Sequence, residues 1–150
     1  MGQSLTKVYL HIVFGMKLRR PFLKKPYEVS MQKYLWTVSR DLGYVPTAIG
    51  GYLGHVHILC VMSPKLNLSE FMQKLKSNSS RWVKDLDPSL QEFAWQEGCG
   101  AFSVSESAVE NFKNYITNQA EHHRKKDFKE EVEKLFKESD LEYDSRYFWK

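Results

Sequence analysis

Two histidines two residues apart, His55 and His57, open the apolar run that ends at Met62. In an extended segment alternate side chains share a face, so both imidazoles point the same way. Two converging imidazoles suit a transition metal, and they tolerate a harder ion when oxygen ligands complete the shell. A cation held there would neutralise charge on a phosphate undergoing displacement. A lone His-x-His is a weak signal and more often marks two histidines satisfied on a half-exposed sheet face. Further along, Tyr115, Gln119 and His122 lie four and then three residues apart. At helical spacing they rise from one flank of a segment whose apolar stripe is Val109, Phe112, Ile116, Ala120 and His123. A phenol so placed can act as a nucleophile, and an amide oxygen one turn away can reach the same metal. The plain alternative is an edge tyrosine whose hydroxyl meets water.

These groups need elements to carry them. Thr6 to Phe14 is rich in β-branched and aromatic residues, which predicts a first strand closed by the basic stretch Met16 to Pro21. His11 falls within it and reads as a core or sheet-face histidine rather than a ligand. Pro26 can open a helix bearing Val29, Tyr34, Leu35, Val38 and Leu42, ended by Gly43. The apolar runs Tyr44 to Leu53 and His55 to Met62, separated by Gly54, predict a hairpin. Asn67 or Ser69 can cap a second helix with Leu68, Phe71, Met72, Leu75 and Trp82 on its apolar side. Ala101 to Val104 is a short strand, and Ser105 or Ser107 can cap a third helix reaching about Lys126. The resulting order is strand, helix, strand, strand, helix, strand, helix. It matches an α+β, ferredoxin-like (split βαβ) plan, an antiparallel sheet with helices on one face and the other face free for a ligand.

The 150 residues fit a single domain, with residues 1–126 as a catalytic core and 127–150 as a helical tail containing Val132, Leu135 and Phe136. No apolar run approaches the roughly 18 residues that would span a bilayer. The first residues, Met1 to Lys7, lack the pattern of a secretory signal, so a cytoplasmic address is expected. Cys60 and Cys99 show no CxxC pairing, which excludes the usual sequence signature of a structural zinc or dithiol site. A net charge of +4 permits a polyanionic partner without demanding one.

The combination carries more than its parts. HVH at 55–57, FAWQEGCGAFSVSES from Phe93 to Ser107, and YITNQAEHHRKKDF from Tyr115 to Phe128 closely resemble the single-tyrosine HUH transposases of the IS200-like insertion sequences. LKSNSSRW from Leu75 to Trp82 and EYDSRYFW from Glu142 to Trp149 resemble the same family, so the similarity spans nearly the whole chain. The resemblance implies Tyr115 as nucleophile and a Mg2+ or Mn2+ ion held by His55, His57 and Gln119. The substrate it implies is single-stranded DNA bearing imperfect hairpins at element ends. Cleavage would leave a 5′-phosphotyrosine and a free 3′-hydroxyl that later rejoins strands. It also implies homodimers whose sites combine the histidines of one chain with the tyrosine helix of the other. Gly54, where relatives often carry a polar residue before the first ligand, and Gly15-Met16 after the first strand depart from the pattern without touching those positions.

DNA contacts are expected from Lys17, Arg19 and Arg20, from Lys76, Ser79, Arg81 and Trp82, and from His122 and Arg124 in the basic patch just beyond the catalytic face of the third helix. Two other functions fit less well. An RNA-recognition module wants stacking rings where the strand carries His55 and His57, and a His-triad hydrolase needs a third alternating histidine where Leu59 stands. A domesticated transposase serving the host would share all the catalytic residues.

Overall fold

The computed structural model describes residues 2–17, 25–52, 54–119 and 127–150, with Lys25 and Pro26 described by their backbone alone. Strand β1 (Tyr9–Gly15) leads to helix α1 (Lys25–Asp41), followed by strands β2 (Val45–Gly51) and β3 (His55–Val61). Helix α2 (Leu68–Leu86), strand β4 (Gly100–Val104) and helix α3 (Val109–Thr117) come next, and helices α4 (Phe128–Glu138) and α5 (Ser145–Phe148) end the chain. Local chemistry explains most boundaries. Gly43, at φ 87°, lies just past the end of α1 in a backbone region that L side chains rarely adopt. The Asn67 side chain accepts from Glu70 N at 2.8 Å and caps α2. Asp127 does the same for α4 through Glu130 N. The expected serine caps of the third helix are not used: a short 3-10 turn over Glu106–Ala108 intervenes, and Ser105 makes no capping hydrogen bond. Helix α3 is described to Thr117, and the remainder of the span expected to reach Lys126 lies outside the described residues after Gln119.

The four strands form one antiparallel sheet in the order β2-β3-β1-β4. Strands β1 and β2 therefore run parallel with β3 inserted between them, the split βαβ arrangement. On one face Ile12, Phe14, Val56, Ile58 and Cys60 pack with Met31, Leu35 and Val38 of α1 and with Phe71, Met72 and Leu75 of α2. Val29, expected on the inner side of α1, is exposed, and Met31 takes the inward position instead.

The opposite face departs from the expectation of an open surface. Val109 and Ile116 of α3 lie over Ala48, Leu59 and Val104, while Val132 and Phe136 of α4 lie over Val13 and Phe102. Val13, Ala48, Leu59, Phe102 and Val104 on this face are apolar, so covering them removes more hydrocarbon from water than a solvated face would. Among the described residues no helix is long and apolar enough to cross a membrane.

Helix α3 comes very close to the sheet. A Cβ on Gly50 would fall 2.1 Å from the Ile116 carbonyl oxygen, so only glycine lets α3 sit this low on β2. Gly50→Ala is expected to lift the end of α3 and destabilise the fold by about 1–3 kcal/mol, as overpacking of a close contact does. Thermal unfolding measures this beside Gly2→Ala, where the added methyl meets nothing. Equal melting of the two variants would refute the close-approach argument.

Candidate active site

The pleat of β3 places His55 and His57 on the face covered by α3 and α4, and both are buried. His57 pairs with Val13 across β1, so His11, two residues before Val13, lies one diagonal step away on the same face. The His11 Nε2 and His57 Nδ1 atoms are 2.7 Å apart, with the two ring planes 15° from parallel. The other nitrogen of His57, Nε2, lies 2.6 Å from Glu131 Oε1 of α4. His55 Nε2 is 3.1 Å from the side-chain oxygen of Gln119, whose amide nitrogen donates to the Tyr115 carbonyl at 3.3 Å. The Phe128 ring stacks on His55 at 4.2 Å and occupies the space where a Cβ on Gly15 would stand.

Tyr115 is half-buried, its ring edge-on to His57 with centroids 5.7 Å apart. The phenol shares side-chain hydrogen bonds with Glu131 and Gln119. Burial raises its pKa above the usual 10.0, and the negative charge of Glu131 adds to the effect. The phenol is therefore held protonated. Burial, assisted by the neighbouring His57, pushes His11 down to about 3, so His11 is neutral at ordinary pH.

Ligand atoms of His55, His57 and Glu131 all lie within 4.8 Å of one another. With the Gln119 oxygen beside His55 they form a buried set of two nitrogens and two oxygens. Such a set fits a divalent cation that takes imidazole and carboxylate together, and the carboxylate supplies the charge that a neutral His-His-Gln set lacks. His55 and His57, Tyr115 and Gln119, and Glu131 are thus brought together from three separate stretches of sequence.

Glu131 was not expected. It lies in the tail, among positions read only as an amphipathic helix. The available signal was its place on the buried side of α4, where it shares burial with Val132 and Phe136 and is the acidic exception. A carboxylate on the apolar side of a helix is seldom left without a function or partner.

The expected DNA contacts separate into groups. Lys17 and Arg81 are exposed. Lys76 is half-buried and donates to the carbonyls of Gln96, Glu97 and Gly98 at 2.8, 3.1 and 2.8 Å, which ties down that loop. Trp82 is half-buried with its ring stacked on Tyr34. Ser79 is a correction: it is fully buried, its hydroxyl donating to the Leu75 carbonyl at 2.7 Å and accepting from the Trp95 indole at 2.9 Å. A polar group so enclosed cannot reach DNA. Arg19, Arg20, His122 and Arg124 lie outside the described residues.

The protonated phenol has a measurable consequence. Because the fold favours neutral Tyr115, its contribution to stability is present below the ordinary tyrosine value and is lost as pH rises beyond it. Tyr115→Phe is expected to flatten the alkaline fall in stability above pH 10.0 and to remove one late-ionising tyrosine from an ultraviolet titration. An unchanged late phase would place the retained proton elsewhere.

The profile of the IS200-like transposase family matches residues 4–119, which include both histidines, Tyr115 and Gln119 and stop short of Glu131. No curated protein matches the chain. Among solved structures, a candidate transposase from Deinococcus radiodurans R1 is 22% identical with a TM-score of 0.65, covering 79% of this chain and 96% of that one. A REP-associated tyrosine transposase bound to a REP hairpin is 15% identical with a TM-score of 0.54, covering 77% of this chain and 68% of that one. At these identities the solved structures speak for the fold. The family match covers most of the chain and spans every element from β1 to α3, and on that ground the chain belongs to the IS200-like transposase family.

Proposed function

We propose that this transposase cleaves and rejoins single-stranded DNA at hairpin-bearing element ends, using Tyr115 as the nucleophile. The observation that carries the proposal is the convergence of the Tyr115 phenol, Glu131 and Gln119 on the paired histidines. A phenol kept protonated becomes a nucleophile only when its proton has somewhere to go. Glu131, already hydrogen-bonded to it, is that acceptor. As the Tyr115 oxygen bonds to phosphorus, the bond from phosphorus to the 3′ oxygen breaks. The proton taken up by Glu131 passes to the departing oxygen, so the DNA is left with a free 3′-hydroxyl and the protein with a 5′-phosphotyrosine. Attack of a 3′-hydroxyl on that linkage restores a phosphodiester and returns the phenol, with no external energy source.

His55 and His57, with Gln119 and Glu131 as oxygen donors, would hold Mg2+ or Mn2+, which supplies charge neutralisation at the scissile phosphate. Gln119 orients the site by joining His55 to the Tyr115 backbone. Lys17 and Arg81, together with Arg19, Arg20, His122 and Arg124, are proposed to hold phosphates, which gives affinity without reading sequence. Residues 1–150 then act as one unit, with the tail supplying Glu131 to a core of 1–126. A cytoplasmic location fits that substrate. The family resemblance implies a homodimer with sites shared between chains. Within one chain, however, Tyr115 already lies against its own His57, which favours assembly in cis.

A denaturing gel with labelled single-stranded hairpin DNA from the flanking genome tests the chemistry. A covalent adduct is expected with the wild type and Mn2+, none with Tyr115→Phe, and about a hundredfold less with Glu131→Gln, the scale of general-base catalysis. Hairpin binding without an adduct under any divalent ion would make the chain a binding module instead. Site assembly is tested by mixing Tyr115→Phe with His57→Ala protein. The mixture is expected to stay inactive, whereas recovered cleavage would mean that the sites are shared between chains.

A further inference from the structure

We infer that His11 is a positioning residue of the metal site, holding the His57 ring in the tautomer that turns an Nε2 lone pair toward the cation. The inference rests on the reading that His55 and His57 bind a metal. Each ring nitrogen of His57 has one short contact: Nδ1 with His11 Nε2 at 2.7 Å, and Nε2 with Glu131 Oε1 at 2.6 Å. A neutral imidazole carries one proton, so the two contacts are not independent.

Two arrangements satisfy the His11–His57 hydrogen bond. In the first, His11 Nε2–H donates to His57 Nδ1, and the His57 proton sits on Nε2 facing the Glu131 carboxylate. This suits a cation-free site, because an N–H and a carboxylate oxygen attract. In the second, His57 Nδ1–H donates to His11 Nε2, and His57 Nε2 bears a lone pair. That lone pair would repel the Glu131 oxygen unless a cation lay between them. Each ring keeps one proton in both arrangements, so cation binding relocates protons within the pair without releasing any. Only the second arrangement makes His57 a ligand, and it requires an acceptor at Nδ1.

His11 is fully buried and is well placed to be that acceptor. Its own Nδ1 has no hydrogen-bond partner among the described residues, and the rings of Phe102, Phe112 and Tyr115 surround it with centroids at 6.0, 5.3 and 6.3 Å. A histidine enclosed by aromatic rings, with one nitrogen unsatisfied, is a poor choice for packing alone, where leucine or phenylalanine would leave no polar atom stranded. Outer groups that accept from a ligating histidine fix its tautomer and orientation in metal sites generally. Here that group lies on the neighbouring strand, in register set by the sheet.

The test compares wild type, His11→Gln and His11→Leu. The glutamine can accept from His57 Nδ1 through its amide oxygen, and the leucine cannot. Calorimetric titration with Mn2+ in the absence of DNA is expected to show about ten- to hundredfold weaker binding for His11→Leu and no more than about a threefold loss for His11→Gln. Long-range 15N–1H spectra of the Mg2+-loaded wild type are expected to show His57 protonated at Nδ1 and bare at Nε2. Wild-type Mn2+ affinity in a folded His11→Leu protein would overturn the role of His11 while leaving the metal site intact. Failure of the wild type to bind Mn2+ would overturn the metal reading and this inference with it. Should His11→Leu fail to fold, the His57 tautomer in the loaded wild type decides the matter, and a proton on Nε2 overturns it.

Discussion

The antiparallel pairing of β3 with β1 is the constraint on which the site depends. Its register sets His57 opposite Val13 and His55 opposite Gly15, and it brings His11 onto the same face one diagonal step away. A slip of one residue would turn both β3 histidines toward the core formed with α1 and α2, among Met31, Leu35, Phe71 and Leu75. The slip would also expose Val56 and Ile58 to the opposite layer. Because β3 is buried on both sides over nearly its whole length, the hydrophobic cost of that error falls on every residue of the strand.

Above that face two helices converge by different routes. Helix α3 approaches because Gly50 offers no side chain to hold it off, and its descent carries Tyr115 and Gln119 onto the histidines. Helix α4 approaches because Val132 and Phe136 cover Val13 and Phe102, while Phe128 lies over the bare backbone at Gly15. Glu131 is carried inward with them. Enclosure has an electrostatic effect: away from water, the same charges and dipoles act more strongly on one another. It keeps the phenol protonated and His11 neutral, and it makes the position of each remaining proton consequential.

Family membership and the geometry meet at an instructive boundary. The family match ends at Gln119, yet the chain's own acidic donor arrives from α4, beyond that limit. The core through Gln119 supplies a phenol, two imidazoles and an amide. Those four groups include no carboxylate, and the tail brings Glu131 into reach of His57 and Tyr115.

Much of this was legible in the residue order. Richness in β-branched and aromatic residues marked β1, an apolar run marked β3, Gly43 and Asn67 marked helix ends, and His-x-His with the Tyr115–Gln119 spacing picked out two groups of candidate residues. These features are local: they depend on the backbone period and on side chains within a turn of one another, which a linear sequence displays directly. Covering of the second sheet face, burial of Ser79 beneath Trp95, the pairing of His11 with His57 and the arrival of Glu131 were not legible. Each joins residues between 16 and 74 positions apart, or depends on which of two apolar faces a helix chooses to cover. The sequence by itself determined which side chains could do chemistry and on what elements they ride. Only the tertiary structure decided which of them meet, because that choice is made by the register of the sheet and by hydrophobic packing of whole helices, neither of which resides in any one segment.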